Sequence, residues 1–263
     1  FGYMRSGTNF DDTTERKTSG TNGLGAKATS IFSKHLVVTC ADAIEGKVFT
    51  QEFSDNLTSR TTPVVTKYKK EKSYTSVRFL PDYERFGYPG LDKDLLCVIR
   101  KMAYDTAMVT GLKVRFNDEK ISLPSMNEYV RLFYPDEKEH PSLAFTTDNG
   151  DECVLVQTEM PVNPNAEHVA HVSFVNGINT SQGGVHIDAW QDSIFAPLVR
   201  AFNKKYGEGK KATKAKKPKA EEKQIKTSAK EMFPYFCLFV RCELDSPRFD
   251  TQTKETLNKP VPV

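Results

Sequence analysis

The chain of 263 residues contains no apolar run approaching the length of a membrane span, which excludes a protein built on membrane-crossing helices. Its first apolar runs are broken by charges, so no signal peptide is expected. Five cysteines, Cys40, Cys97, Cys153, Cys237 and Cys242, are odd in number and form no Cys-x-x-Cys pair. That argues against a structural zinc site or a disulfide framework and suits a reducing compartment. His168 and His171 stand three apart, a spacing that puts them on opposite faces of a strand, so neither is expected to ligate a metal. No internal repeat is visible. The sequence opens on Phe and closes on "NKPVPV", which ends no obvious element, so the expectation is a piece of a longer protein.

What is present suits a soluble globular protein of one large domain or two ordinary ones. Hydrophobic residues make up 38% and charged residues 27%. The net charge of +3 is uneven. Residues 204–219, "KKYGEGKKATKAKKPK", hold eight lysines and one glutamate, or +7, which leaves 3 minus 7, or −4, for the rest. The basic balance belongs to one segment rather than to the fold.

Periodicity places the elements. A short helix is predicted over Ala26 to Ser33. "HLVVTCA" and "KVFTQEF" read as paired strands with Gly46 near their turn, and "PVVTKY" and "YTSVRFLP" extend the sheet. Residues 91–110 set Leu91, Leu95, Ile99, Met102 and Val109 on one helical stripe, which reads as core packing. "LKVRF" is a strand with "NDEK" as its turn, and "SMNEYVRLFY" a short helix. "LAFTT" and "ECVLVQTE" flank "DNGD", a hairpin signal. "HVAHVSFVNGI" is a further strand, 185–202 a long helix, and "MFPYFCLFVRCEL" a buried strand. A domain boundary is expected near residue 120, with α+β organisation in both halves and mixed or antiparallel strands.

Residues 20–27, "GTNGLGAK", carry the first chemical signal. A phosphate-binding P-loop fails twice: Ala26 separates Gly25 from Lys27, and Ala28 stands where a hydroxyl is needed. A dinucleotide fingerprint matches Gly23, Gly25 and Ala28, but polar loop precedes the glycines where a strand is required. Two readings stay open. One is a phosphate clamp in which backbone N–H groups of residues 23–27, a helix start and Lys27 face an anion. The other is an ordinary glycine-rich loop capping a helix.

Three further stretches accompany it: "TNFDD" at 8–12, "SFVNGINTSQGGVHID" at 173–188 and "SPRFDTQTKE" at 246–255. Together with "TSGTNGLGAKATSIFS" at 18–33, and in this order, the set resembles the ATPase region of the type IIA DNA topoisomerases, in detail the eukaryotic, viral or phage type. The resemblance covers most of the chain. It implies an α+β fold: the C-terminal part of a GHKL (Bergerat) α/β sandwich over 1–120 with the ATP lid, then a transducer domain of ribosomal-protein-like βαβ fold over 121–263. Apolar surface would then lie bare on the first half.

By that resemblance, the backbone of Asn22, Gly23, Leu24, Gly25, Ala26 and Lys27 wraps the phosphates of ATP, with Thr8 and Asn9 nearby. Gly7 and Thr21 depart from the pattern where a hydroxyl residue and an arginine are common. Gln252 and Lys254 match the transducer loop that touches the γ-phosphate; without the motif, Lys254 would read as a solvated surface lysine. "GINTSQGGVH" is expected to be a structural loop, with His186 packing in it. The lysine-rich insertion at 203–223 corresponds to a loop facing captured double-stranded DNA. Lys210, Lys211, Lys214, Lys216 and Lys217 would then contact phosphates without reading sequence, although a solvated linker is the plain alternative. The general-base Glu, a Mg2+-binding Asn and an adenine-reading Asp-x-Gly-x-Gly loop belong upstream of the lid in this family, and the cleavage Tyr downstream. None is matched here, so these 263 residues alone are expected not to hydrolyse ATP.

The implied parent is an ATP-hydrolysing type II topoisomerase that uses Mg2+ and works as a homodimer joined through the ATPase region, as one polypeptide or as separate subunits. Its place would be intracellular, in a nucleus or in the host cell for a viral or phage source. The competing readings are a non-enzymatic DNA-binding protein built on the lysine segment, another GHKL ATPase of the mismatch-repair or chaperone kind, and a Rossmann oxidoreductase. The glycine lid paired with Gln252 and Lys254 argues against the first, and the "SFVN…GGVH" stretch with the Gln-Thr-Lys loop against the second.

Overall fold

Alternating side chains in "HLVVTCAD" send Leu36 and Val38 to one side, and this pattern seeds the first sheet. The computed structural model describes residues 1–3, 6–7, 17–18, 20, 22–162, 167–207 and 226–261. Thr8, Asn9, Lys210, Lys211, Lys214, Lys216 and Lys217 lie outside the described residues. Two compact units are formed: Phe1–Thr14 with Gly20–Ile99, and Glu15–Ser19 with Arg100–Val263.

In the first unit, helix α1 (Gly25–Ile31) leads into β1 (Ser33–Asp42), β2 (Lys47–Ser54), β3 (Ser59–Arg60), β4 (Val64–Lys67) and β5 (Tyr74–Pro81). The helix ends two residues earlier than its periodicity predicts, because Ser33 is already paired with Pro81 in the sheet. β1 pairs antiparallel with β2 from His35↔Ser54 to Asp42↔Lys47, and with β5 on its other edge. β3 and β4 both pair with β2. Leu36, Val38 and Phe53 form a small core. The β5 end of the unit is open. Phe79, Pro81, Tyr83, Phe86, Tyr88, Leu91, Leu95 and Ile99 line an exposed apolar groove of about 520 Å³.

The division between the units falls inside α2 (Lys93–Thr110). The stripe expected to be core is core only at its end: Leu91, Ile99 and Met102 are exposed and Leu95 is half-buried, while Val109 packs against the core, and the fully buried residues of the helix are Asp105, Ala107 and Met108. Burial follows whatever covers a face, and only the last turns of α2 meet a packed partner, Ile121, Met126, Tyr129 and Val130.

The second unit continues with the hairpin β6 (Val114–Phe116) and β7 (Glu119–Ile121), helix α3 (Met126–Val130), β8 (Ser142–Thr146), β9 (Glu152–Gln157), β10 (Ala170–Val175), β11 (Ile178–Asn179) and β12 (Gly183–Gly184). The long helix α4 (Val185–Phe202), a π-helical turn at Asn203–Gly207, α5 (Ala229–Met232), β13 (Phe236–Cys242), β14 (Arg248–Phe249) and β15 (Thr256–Lys259) complete it. Ser125 caps α3 by accepting the Glu128 N–H. The hairpin around "DNGD" forms as its turn residues predict, with Thr146 opposite Glu152. The last long strand begins at Phe236 rather than at Met232. Residues 233–235 make a 3-10 turn containing Pro234, which has no N–H to give a ladder.

The main sheet runs β11-β10-β13-β9-β8, with β10 and β13 parallel and bridged by α4. Both its faces are covered. Val154, Val156, Phe174, Cys237 and Phe239 pack toward α3 and the end of α2. Cys153, Leu155, Leu238 and Val240, the alternate residues of the same strands, pack toward Ile187 and Phe195 of α4. A strand buried on both faces has to be apolar throughout, which accounts for the unbroken run "FCLFV". Beyond α4, Asn203 Nδ2 donates to Thr227 O and Thr227 N–H donates to Asn203 Oδ1, both at 2.9 Å, closing the base of the segment between them.

Candidate functional site

The lid segment belongs to the first unit. Gly23 adopts φ 59°, and a Cβ built there would lie 2.4 Å from the backbone nitrogen of Gly7, so the close approach of these two backbones needs glycine. Leu24 then opens α1 without a side-chain cap. The first intrahelical bond is Ala28 N–H to Leu24 O, at 2.8 Å. The N–H groups of Gly25, Ala26 and Lys27 therefore have no acceptor inside the helix, and their partial positive charges sum at its start.

Lys27 is buried, 2% exposed, and its ammonium donates to the carbonyl of Phe1. Burial pushes its pKa below the ordinary lysine value, and the nearby Arg60 guanidinium lowers it further. The buried ammonium is thus held by a backbone carbonyl, while the Arg60 guanidinium lies over the Tyr3 ring. Arg60 lies on β3, outside every glycine motif, and no spacing rule of sequence could have found it.

The loop that carries Gln252 and Lys254 belongs to the second unit, between β14 and β15. Asp250 N–H donates to Thr256 O at 3.2 Å and Lys254 N–H to Thr251 O at 3.2 Å, so the loop is a closed turn. Thr251 and Thr253 hydroxyls lie 2.7 Å apart across it. Lys254 takes φ 62°, a left-handed conformation that costs a non-glycine residue about 1 kcal/mol or more. It is half-buried, and burial lowers its pKa. Gln252 is exposed.

The "GINTSQGGVH" stretch is built into the second unit. His186 is fully buried at the first turn of α4; its Nε2 faces Thr180 Oγ1 at 3.1 Å, and Thr180 Oγ1 faces Ser173 Oγ at 2.6 Å. Burial, with His171 nearby, pushes the His186 pKa down to about 4, so the ring is neutral near pH 7. Among the described residues no group of three or more His, Cys, Asp or Glu side chains is arranged to hold a metal.

The DNA gyrase B family model matches residues 125–261, more than half of the chain. The chain belongs to the type IIA DNA topoisomerase family. It is 36% identical over 266 residues to DNA topoisomerase 2 of Invertebrate iridescent virus 6, covering 99% of this chain and 21% of that protein. It is 34% identical over 259 residues to DNA topoisomerase 2 of Acanthamoeba polyphaga mimivirus, covering 98% and 19% respectively. Among solved structures, the ATPase region of Saccharomyces cerevisiae topoisomerase II superposes with a TM-score of 0.82 at 28% identity, covering 98% of this chain and 61% of that one. The ATPase and transducer domains of DNA topoisomerase II from Balamuthia mandrillaris give 0.79 at 28% identity, with the same coverage. The chain thus spans about a fifth of the length of its viral topoisomerase relatives. The α+β fold that the resemblance implies matches the mixed helices and sheets of these ATPase regions, and the similarities do not favour a non-enzymatic DNA-binding protein.

Proposed function

We propose that this chain is the ATP-binding and transducer segment of a type II topoisomerase, coupling nucleotide state to closure of a dimer gate and to passage of duplex DNA. Residues 1–120 act as the partial nucleotide domain and 121–263 as the transducer. The observation that carries the reading is the uncapped start of α1 directly after the close backbone approach of Gly23 to Gly7, in a chain similar to topoisomerase II ATPase regions. Backbone N–H donors already fixed in place hold a polyphosphate strongly, because they need no reorganisation when charge arrives. In this reading Asn22, Gly23, Leu24, Gly25, Ala26 and Lys27 wrap the phosphates, with Thr8 and Asn9 beside them, while Mg2+ travels with the ATP. Gln252 and Lys254 sense the terminal phosphate. Loss of that phosphate removes the partner of Lys254 and frees the transducer to move as a rigid body. Lys210, Lys211, Lys214, Lys216 and Lys217 contact the phosphates of double-stranded DNA without sequence preference. The parent works as a homodimer inside a cell.

The test is the preference of the full-length protein for a non-hydrolysable triphosphate over the diphosphate. A hydrogen bond to a charged group contributes about 1.5–3 kcal/mol, so Lys254→Ala lowers the preference by about 10- to 150-fold. A ratio equal to wild type refutes the sensing role.

A further inference from the structure

The Gln252–Lys254 loop has a seat. β15, which begins two residues after Lys254, pairs in parallel with the two-residue strand β12, Gly183 opposite Thr256 and Gly184 opposite Leu257. Gln182 N–H adds a bond to Glu255 O at 3.0 Å, one residue from Lys254. Gly184 has φ 120°, and a Cβ built on it would lie 2.2 Å from Leu257 O and 2.7 Å from Leu257 N. Backbone, not a yielding side chain, fills that space. No residue other than glycine leaves β15 where it is.

Gly184 is also the residue from which α4 starts. Leu257, fully buried, packs in the same core as Ile187 and Phe195 of that helix. A pull on Lys254 therefore passes through two residues of backbone to Leu257, and from there directly to the first turn of an 18-residue helix. Close-packed elements transmit such a displacement rather than absorb it.

We infer that Gly184 is a positioning residue for nucleotide sensing: it seats β15 on the start of α4, and through that contact the terminal phosphate state reaches the helix. The inference rests on the reading of Gln252 and Lys254 as phosphate sensors. The neighbouring Gly183 supplies the control. It too is left-handed, at φ 72°, but its built Cβ meets only side chains, the His171 ring at 3.0 Å and Ile187. Gly183→Ala therefore carries left-handed backbone strain, milder than at Gly184 with its φ of 120° and ψ of −166°, without pushing on the backbone of β15.

Four full-length proteins, wild type, Gly184→Ala, Gly183→Ala and Lys254→Ala, are titrated with a non-hydrolysable triphosphate and with the diphosphate. Gly184→Ala is expected to lower the preference for triphosphate by about 5- to 150-fold, the usual range of coupling between sites, with diphosphate affinity unchanged and Gly183→Ala close to wild type. A wild-type ratio in Gly184→Ala beside a reduced one in Lys254→Ala overturns the inference and leaves the sensor reading intact. No effect of Lys254→Ala removes the sensor reading itself, and the inference with it. Equal loss in both glycine variants overturns the seat in favour of local strain. Hydrogen exchange on the unaltered protein gives an arm that needs no variant to fold. Amides 182–187 and 256–258 exchange more slowly with triphosphate than with diphosphate bound; identical exchange in the two states overturns the inference.

Discussion

His186 makes the folded transducer unit sensitive to acid. Its ring is enclosed between Thr180 and the first turn of α4, where the helix start adds positive potential and His171, with Asp188 beside it, is the nearest titratable neighbour. The ring holds its proton only below about pH 4 in the fold, against about 6.5 in the unfolded chain. Above 6.5 both states are neutral and the ring contributes no pH dependence. As pH falls through 6.5 the unfolded chain takes up a proton that the fold refuses, so stability drops until the pH passes about 4. At about 1.4 kcal/mol per unit, the full cost is about 3 kcal/mol, and about 2 kcal/mol of it develops between pH 7 and pH 5. Trp190, the single tryptophan of the chain, lies one turn further along α4 and reports on this unit alone. Urea unfolding followed by its fluorescence should show the midpoint falling by roughly 1 M from pH 7 to pH 5, for a slope of about 2 kcal/mol/M. Carboxylates and His171 contribute in every variant, so the deciding quantity is a difference. His186→Gln, which keeps a nitrogen able to face Thr180, should lose about 2 kcal/mol less over the same interval. Equal losses in wild type and variant would refute the assignment of this pH dependence to His186.

Other consequences are as direct. Tyr129 is buried and donates to Asp105 Oδ1 at 2.6 Å, while Lys101 holds the other oxygen at 2.6 Å; Tyr129→Phe should cost about 1.5–3 kcal/mol, read as a lower urea midpoint with no change in nucleotide preference. Gly23→Ala forces the lid away from Gly7 and should weaken triphosphate and diphosphate binding together by about tenfold or more, the reach of 1–3 kcal/mol of backbone strain; titration with a fluorescent ATP analogue checks it, and wild-type affinity would show that the lid tolerates the shift. Replacing Lys210, Lys211, Lys214, Lys216 and Lys217 by Ala should flatten the salt dependence of duplex binding by up to about 4.5 in log–log slope, at about 0.9 per phosphate contact; an unchanged slope removes these lysines from the DNA interface.

Much of this architecture is legible in the sequence wherever the signal is local. The alternation in "HLVVTCA" and "KVFTQEF" predicts β1 and β2, and "DNGD" predicts the turn between β8 and β9, because a hairpin joins neighbours in the chain. The parallel pairing of β10 with β13 is not legible, since their partners are more than sixty residues apart and nothing local records the match. The stripe of α2 is visible, but a stripe says only that a face is apolar, not what covers it; Leu91 and Met102 are exposed while Ala107 and Met108 are buried. At the site, the glycines announce a close approach without naming what approaches. Gly23 meets Gly7 and Gly184 meets Leu257, contacts that only the folded chain brings together. Arg60 carries no motif and is found by its proximity to Lys27 alone.

The pair of hydrogen bonds between Asn203 and Thr227 has a consequence for how this protein can vary. These bonds hold Asn203 and Thr227 together, and doubling the length of a flexible chain between two joined ends costs only about 0.6 kcal/mol. The sequence between them can therefore be lengthened, shortened or recharged by selection, and with it the salt sensitivity of any grip on a polyanion, without moving a residue of the sheet.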